Sequence, residues 1–205
     1  RMAAEGVKLT QFYVASPVCS PSRAALLTGC YPKRVGMHEH VIFPAYDHGL
    51  HPEETTIADV LSGAGYATGC FGKWHLGHRP GLLPTSQGFD VFFGIPYSND
   101  MSQFHRPDGN GYRHSLPLIR DEAVIEWEPD QRLLTRRCTE EAVAFIDAHA
   151  DAPFFVYLPH AMPHIPIYAS EAFAGRSPRG TYGDVIEEID WSVGEVLDAL
   201  DRHGV

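Results

Sequence analysis

The heptapeptide "PFFVYLP", residues 153–159, is apolar from end to end. A strand with one wet face alternates polar and apolar side chains. An unbroken apolar run rich in aromatics and closed by proline at both ends therefore reads as a strand covered on both faces, the kind found in parallel sheets. Such a sheet needs helices on both sides, and the flanking sequence supplies candidates. A helix is predicted over about 132–149. Another, over about 183–203, carries Val185, Ile186, Ile189, Val193, Val196, Leu197 and Leu200 at helical spacing. Upstream, "EETTIADVLSGAGY" has Thr56 as N-cap with Ile57, Val60, Leu61 and Ala64 on one face, and it feeds the strand "ATGCFGK". "VKLTQFYVAS", residues 7–16, predicts a further strand, followed by a turn at Pro17 and a helix over roughly 21–29. Residues 31–52 form a Gly/His/Pro-rich loop. Residues 80–130, with many Pro, Gly, Asn and Asp and few periodic runs, read as long surface loops near a site rather than a second domain. The expected fold class is α/β, a mostly parallel sheet sandwiched by helices.

Composition narrows the partners. With 205 residues, 44% of them apolar, the chain can bury one substantial core. Acids outnumber bases 26 to 16, and a formal charge of -10 argues against nucleic acid or an anionic membrane surface as partner. No run approaches the roughly 18 apolar residues of a membrane span. Four cysteines show no CxxC spacing, too few and too scattered for a disulfide scaffold or a zinc ribbon. The chain opens on "RMAAEG", which reads as the tail of a helix, and closes on "DRHGV" just after one. This suggests one domain truncated at both ends, an internal piece of a longer protein.

Two stretches carry chemistry. In "SPVCSPSRAALLTGCYP", residues 16–32, Cys19 lies at a helix N-terminus if Ser20-Pro21-Ser22 opens that helix, and Arg23 follows one turn later. Unpaired backbone N–H groups and the helix dipole favour a negative ligand there, and would stabilise a thiolate. A cysteine hydrolase and a buried structural cysteine both fit this stretch alone. A tyrosine-phosphatase loop does not, because it needs five residues between Cys and Arg and three are present. In "GKWHLGH", residues 72–78, Lys73 and His75 point to one face of an extended chain and Trp74 to the other. A cation and an acid/base group thus emerge together at the C-terminal edge of a strand, where open α/β sheets place their ligands. A solvated lysine beside a packed histidine is the bland alternative.

Together the two stretches resemble the paired signatures of the sulfatase family, C-x-P-S-R-x-x-L-L-T-G in "CSPSRAALLTG" and G-Y-x-T-x-x-x-G-K-W-H-L-G in "GYATGCFGKWHLG". The likeness extends through "GFDVFFGIPYSND" and "FFVYLPHAMPHIP" and is nearest the arylsulfatase A type. It implies an alkaline-phosphatase-like fold and hydrolysis of sulfate monoesters. It also implies conversion of Cys19 to Cα-formylglycine by a formylglycine-generating enzyme, with the aldehyde hydrate as nucleophile and a small-molecule or glycan sulfate ester as substrate. By the same resemblance Arg23 holds the diol and its metal contact, Lys73 neutralises sulfate oxygens, and His75 hydrogen-bonds the diol and takes its proton. Ser98 binds sulfate, and His164 contacts the ester and helps the leaving group. His160 is a weaker candidate in the same loop. The family's cofactor is Ca²⁺, or Mg²⁺, held by an Asp pair and an Asp-Asn pair that this chain lacks. Only Cys19, as formylglycine, remains of the metal ligands, so the isolated piece is expected to bind Ca²⁺ weakly if at all and to be inactive. Family members are mostly exported, periplasmic or lysosomal.

A phosphonate or phosphate esterase of the same superfamily, and a sulfatase-like binding module without chemistry, are the rival readings. Cys70 and Cys138 are expected as buried thiols, and Cys30 as free or bridged. Specificity is expected in the loops 31–52 and 97–130. The other histidines, His105 among them, receive no role.

Overall fold

The computed structural model describes residues 1–104 and 114–205. In chain order its elements are α1 (Met2–Glu5), α2 (Cys19–Thr28), α3 (Ile57–Gly63), β1 (Ala67–Lys73), β2 (Val91–Ile95), β3 (Pro117–Arg120), β4 (Ala123–Trp127), α4 (Leu134–His149), β5 (Phe154–Tyr157) and α5 (Gly180–His203). The strands form one sheet in the order β4-β3-β2-β1-β5. β1 runs parallel to both β2 and β5, while β3 and β4 add an antiparallel hairpin beside β2. The α/β expectation holds, with a sheet that is parallel at its centre and antiparallel at one side.

β1 is the axis of the molecule. Its central residues are buried, and alternate side chains enter different cores. Cys70, with Phe92 of β2, joins a cluster containing Leu27 of α2 and Ala58 of α3; Phe71, with Phe93, joins one containing Cys138, Ala142 and Phe145 of α4. α3 begins where the sequence places it. The Thr56 hydroxyl accepts the Asp59 N–H at 3.1 Å and the Asp59 carboxylate accepts the Thr56 N–H at 2.8 Å, a reciprocal capping box. α2 starts at Cys19, earlier than the expected 21, and ends on Gly29 in the left-handed conformation (φ 66°).

Three expectations are corrected. "PFFVYLP" does form a parallel strand, but all four β5 residues are only half-buried. β5 is an edge strand whose one partner among the described residues is β1. Phe155 and Tyr157 lean on one core and Phe154 and Val156 on the other, which explains the run without alternation. Residues 7–16 form no strand, and Val7, Phe12 and Tyr13 are exposed. β-Propensity measures fit to a paired surface, and this segment has no ladder partner among the described residues. Residues 80–130 are not loop throughout, since β2 and the hairpin β3–β4 interrupt the loops there. "VFFGI" is too short and too uniformly apolar to show a period of two. The hairpin turns at Asp121, at φ 56°, a conformation that aspartate tolerates better than most residues.

Candidate active site

The C-terminal ends of β1, β2 and β5 and the N-terminus of α2 converge on Cys19. Lys73, the last residue of β1, is 1% exposed, and its Nζ stands 2.9 Å from Ser98 Oγ and 3.4 Å from Cys19 Sγ. Ser98, equally buried, arrives on the loop after β2. His164 arrives on the loop after β5 and stands beside the Cys19 thiol. Its Nδ1–H donates to the Ile165 carbonyl at 2.6 Å. Asp100, two residues past Ser98, brings Oδ1 to 4.0 Å from that same nitrogen.

His75 lies just beyond β1 with φ 63°, so the chain is no longer extended there, and its ring is 1% exposed. Nε2–H donates to the Ile42 carbonyl at 3.0 Å, and Nδ1 is left buried without a partner, a free acceptor lone pair. The Ile42 N–H in turn donates to Ser20 Oγ at 3.0 Å, so the backbone of one residue ties His75 to the first turn of α2. Arg23 does not hydrogen-bond residue 19 in this structure. Its Nη1 donates to the Lys73 carbonyl, and its side chain lines a cleft with Tyr157. Arg23 shares with Cys19 an open cleft of about 520 Å³, walled by Pro17, Val18, Tyr157 and Pro159.

The electrostatics follow from this packing. The Cys19 thiol is drawn down to about 7, chiefly by its bond to His164 and then by the Lys73 charge, against the effect of burial. The same bond to Cys19 leads in raising His164. Burial, and secondarily the Arg23 charge, push the Lys73 ammonium down to about 8. Burial and the neighbouring Lys73 and Arg23 hold His75 well below its usual range, so this imidazole is neutral. In a chain of net charge -10, a half-buried nucleophile position thus faces a lysine, an arginine and two imidazoles. That arrangement suits a tetrahedral anion.

The structure brings Cys19, Lys73, Ser98 and His164 into one contact set, with Arg23 one bond removed through the Lys73 carbonyl and His75 reaching only the first turn of α2, through the backbone of Ile42. Sequence reasoning passed over Asp100 and the Ile42 backbone. Asp100 had a signal in its place two residues after Ser98; a backbone group has none. His160 turns away from Cys19, with Nε2 3.0 Å from Ser192 Oγ. Cys70 and Cys138 are buried thiols as expected, and Cys30 is free. His105 and the rest of 105–113, within the expected specificity loops, lie outside the described residues. Among the described residues no group of three or more His, Cys, Asp or Glu side chains could hold a metal ion. A hard divalent cation takes six to eight oxygens, and the largely cationic groups around Cys19 do not fit one. Among the described residues no helix is long and apolar enough to cross a membrane.

The fold and the two motifs together define an α/β protein of the alkaline-phosphatase-like kind. The chain belongs to the sulfatase family, whose model, described as Sulfatase, matches residues 1–205. It is 40% identical to N-acetylgalactosamine-6-sulfatase of Sus scrofa over 98% of this chain and 41% of that protein. To arylsulfatase A of Homo sapiens it is 39% identical, over all of this chain and 43% of the relative. Among solved structures, Ps i-CgsB in complex with k-i-k-neocarrahexaose superposes with a TM-score of 0.80 at 29% identity, over 94% of this chain and 46% of that one. The chain therefore spans about two fifths of the length of these curated relatives.

Proposed function

We propose that these 205 residues are an internal part of one sulfatase catalytic domain and that the whole protein hydrolyses sulfate monoesters. The observation that carries the reading is the position of Lys73 Nζ, in contact with Cys19 Sγ and Ser98 Oγ at once. A sulfate group seated over residue 19 would meet Lys73 and Ser98 at its oxygens. His164, on the far side of residue 19, is placed to hold a proton toward the ester oxygen. The unpartnered Nδ1 of His75 can accept a proton from the group at position 19. Arg23, bonded to the Lys73 carbonyl, fixes the end of β1 from which the ammonium reaches the site.

Residue 19 suits formylglycine, being half-exposed at a helix N-terminus inside an open cleft. Formylglycine would supply a hydrated aldehyde, an oxygen nucleophile that a thiol side chain cannot provide. Its installation requires a formylglycine-generating enzyme as maturation partner. Ca²⁺ or Mg²⁺ would be held largely by residues outside this chain. The relatives favour a sulfated glycan as substrate, as in N-acetylgalactosamine-6-sulfatase and the neocarrahexaose complex, or an aryl sulfate, as in arylsulfatase A. The family resemblance supports a mature protein outside the cytosol, by export or lysosomal delivery.

The test uses the full-length protein co-expressed with a formylglycine-generating enzyme. The peptide spanning residue 19 should label with a hydrazide probe, and 4-nitrophenyl sulfate should be turned over faster than 4-nitrophenyl phosphate. Lys73→Ala and His75→Ala should each lower kcat by about 10²-fold. Faster turnover of the phosphate ester would move the protein to the phosphatase or phosphonatase branch. An unmodified thiol with no turnover of either ester would make it a binding module.

A further inference from the structure

Ser98 and His164 reach Cys19 from loops after β2 and β5, two strands separated by β1, so no strand pairing sets the distance between them. One buried side chain hydrogen-bonds across the gap. Asn99, 0% exposed, has Nδ2 3.0 Å from the carbonyl of Pro166, two residues past His164, and 3.0 Å from Oε1 of Gln131, in the turn that opens α4. The Gln131 amide donates back to the Asn99 carbonyl at 3.0 Å and is itself 4% exposed. A carbonyl can only accept, so the Pro166 contact fixes which end of the Asn99 amide is nitrogen. Both of its N–H donors are used, on two different segments, while Oδ1 stays buried without a partner. An apolar residue of similar size would fill this space without that desolvation cost. The side chain is therefore present for its two bonds rather than for packing.

We propose that Asn99 is a positioning residue for the reaction described above. It ties the Ser98 loop to the His164 loop and so sets the span across Cys19 within which the sulfate group must fit. Asn99 itself touches none of the reacting atoms. The inference rests on the sulfatase reading, and its test separates the two. In the full-length, formylglycine-bearing protein, Asn99→Leu removes the bridge to Pro166. Gln131→Leu removes a buried amide of comparable burial but leaves that bridge in place.

On 4-nitrophenyl sulfate, Asn99→Leu should lower kcat by about 30- to 100-fold, the scale on which a misplacement near 1 Å is felt, with KM changed by less than about threefold. Gln131→Leu should lower thermal stability comparably yet keep kcat within about threefold. Amide hydrogen exchange gives a readout independent of turnover: residues 161–167 should exchange faster in Asn99→Leu than in Gln131→Leu. Asn99→Ser, which shortens the side chain below the span, replaces Asn99→Leu if the latter does not fold. Near-normal kcat in the Asn99 variant would overturn the proposal. So would losses of kcat in both variants that merely track stability, or equal exchange at 161–167. Wild-type protein that leaves 4-nitrophenyl sulfate untouched would sink the sulfatase reading, and exchange would still decide the role of the bridge.

Discussion

Gly94 sits on β2 directly opposite Gly72 of β1, one residue before the lysine that reaches Cys19. A Cβ placed on Gly94 would stand 2.6 Å from the Gly72 carbonyl carbon and 2.9 Å from its nitrogen, and nearer still to the carbonyl oxygen. Carbon atoms in contact prefer about 3.5 Å or more, so Gly94→Ala leaves a shortfall of at least about 1 Å. Backbone on both sides must absorb it, because neither partner is a side chain that can swing away. Overpacking of this kind costs about 1–3 kcal/mol. The kinetic cost should be larger in proportion, since the displaced atoms belong to the residue that precedes Lys73, and about 1 Å of misplacement is worth on the order of 10²-fold. In the full-length protein, Gly94→Ala should lose about 10²-fold in kcat on 4-nitrophenyl sulfate at temperatures well below its unfolding midpoint. The midpoint in urea should fall as well. Turnover within about threefold of wild type would mean that the parallel register Gly72↔Gly94, and with it the placement of Lys73, is wrong.

Gly194→Ala is the converse case. It lies inside α5 where an added Cβ meets nothing within 4 Å, so it should stabilise the protein by about 0.5–1 kcal/mol, and a loss of stability would show that the helix packs differently there. In protein made without a formylglycine-generating enzyme, iodoacetamide should modify Cys19 with a pH midpoint near 7, while Cys138, pushed up to about 12 by burial, stays unreactive until unfolding. A Cys19 midpoint near the ordinary 9.0 would remove His164 from contact with the thiol. His160, which burial holds down to about 4 against an ordinary 6.5, stays neutral in the folded state over a range where the unfolded chain takes up a proton. Stability should therefore be full above pH 6.5 and fall as pH drops from there to about 4. The loss amounts to roughly 3 kcal/mol at most. A His160→Gln variant should be flatter across that window, and an unchanged slope would rule the residue out as its source.

What was legible in the sequence and what was not divide along a physical line. Thr56, the strand "ATGCFGK" and the helix after Pro17 follow from local rules of capping, apolar runs and turn residues, and each stands within a residue or two of its expected place. Lys73 could be placed at a strand's end beside a nucleophile because strand and helix each announce their own terminus. Two of the failures are non-local. Residues 7–16 have strand composition and no strand partner among the described residues, and β5 has core composition at an edge; pairing, which decides both, is invisible to a window of ten residues. The same holds at the site. The residues that present chemistry sit in motifs, while the groups that bring them together do not: the Ile42 backbone between Ser20 and His75, and Asn99 between the Ser98 and His164 loops. An amide or a peptide unit looks alike wherever it occurs, and only the carbonyl that it meets across the fold tells one that bridges two catalytic loops from one that faces water. Substitutions at such joints are accordingly where activity should fall without any change in a recognisable motif.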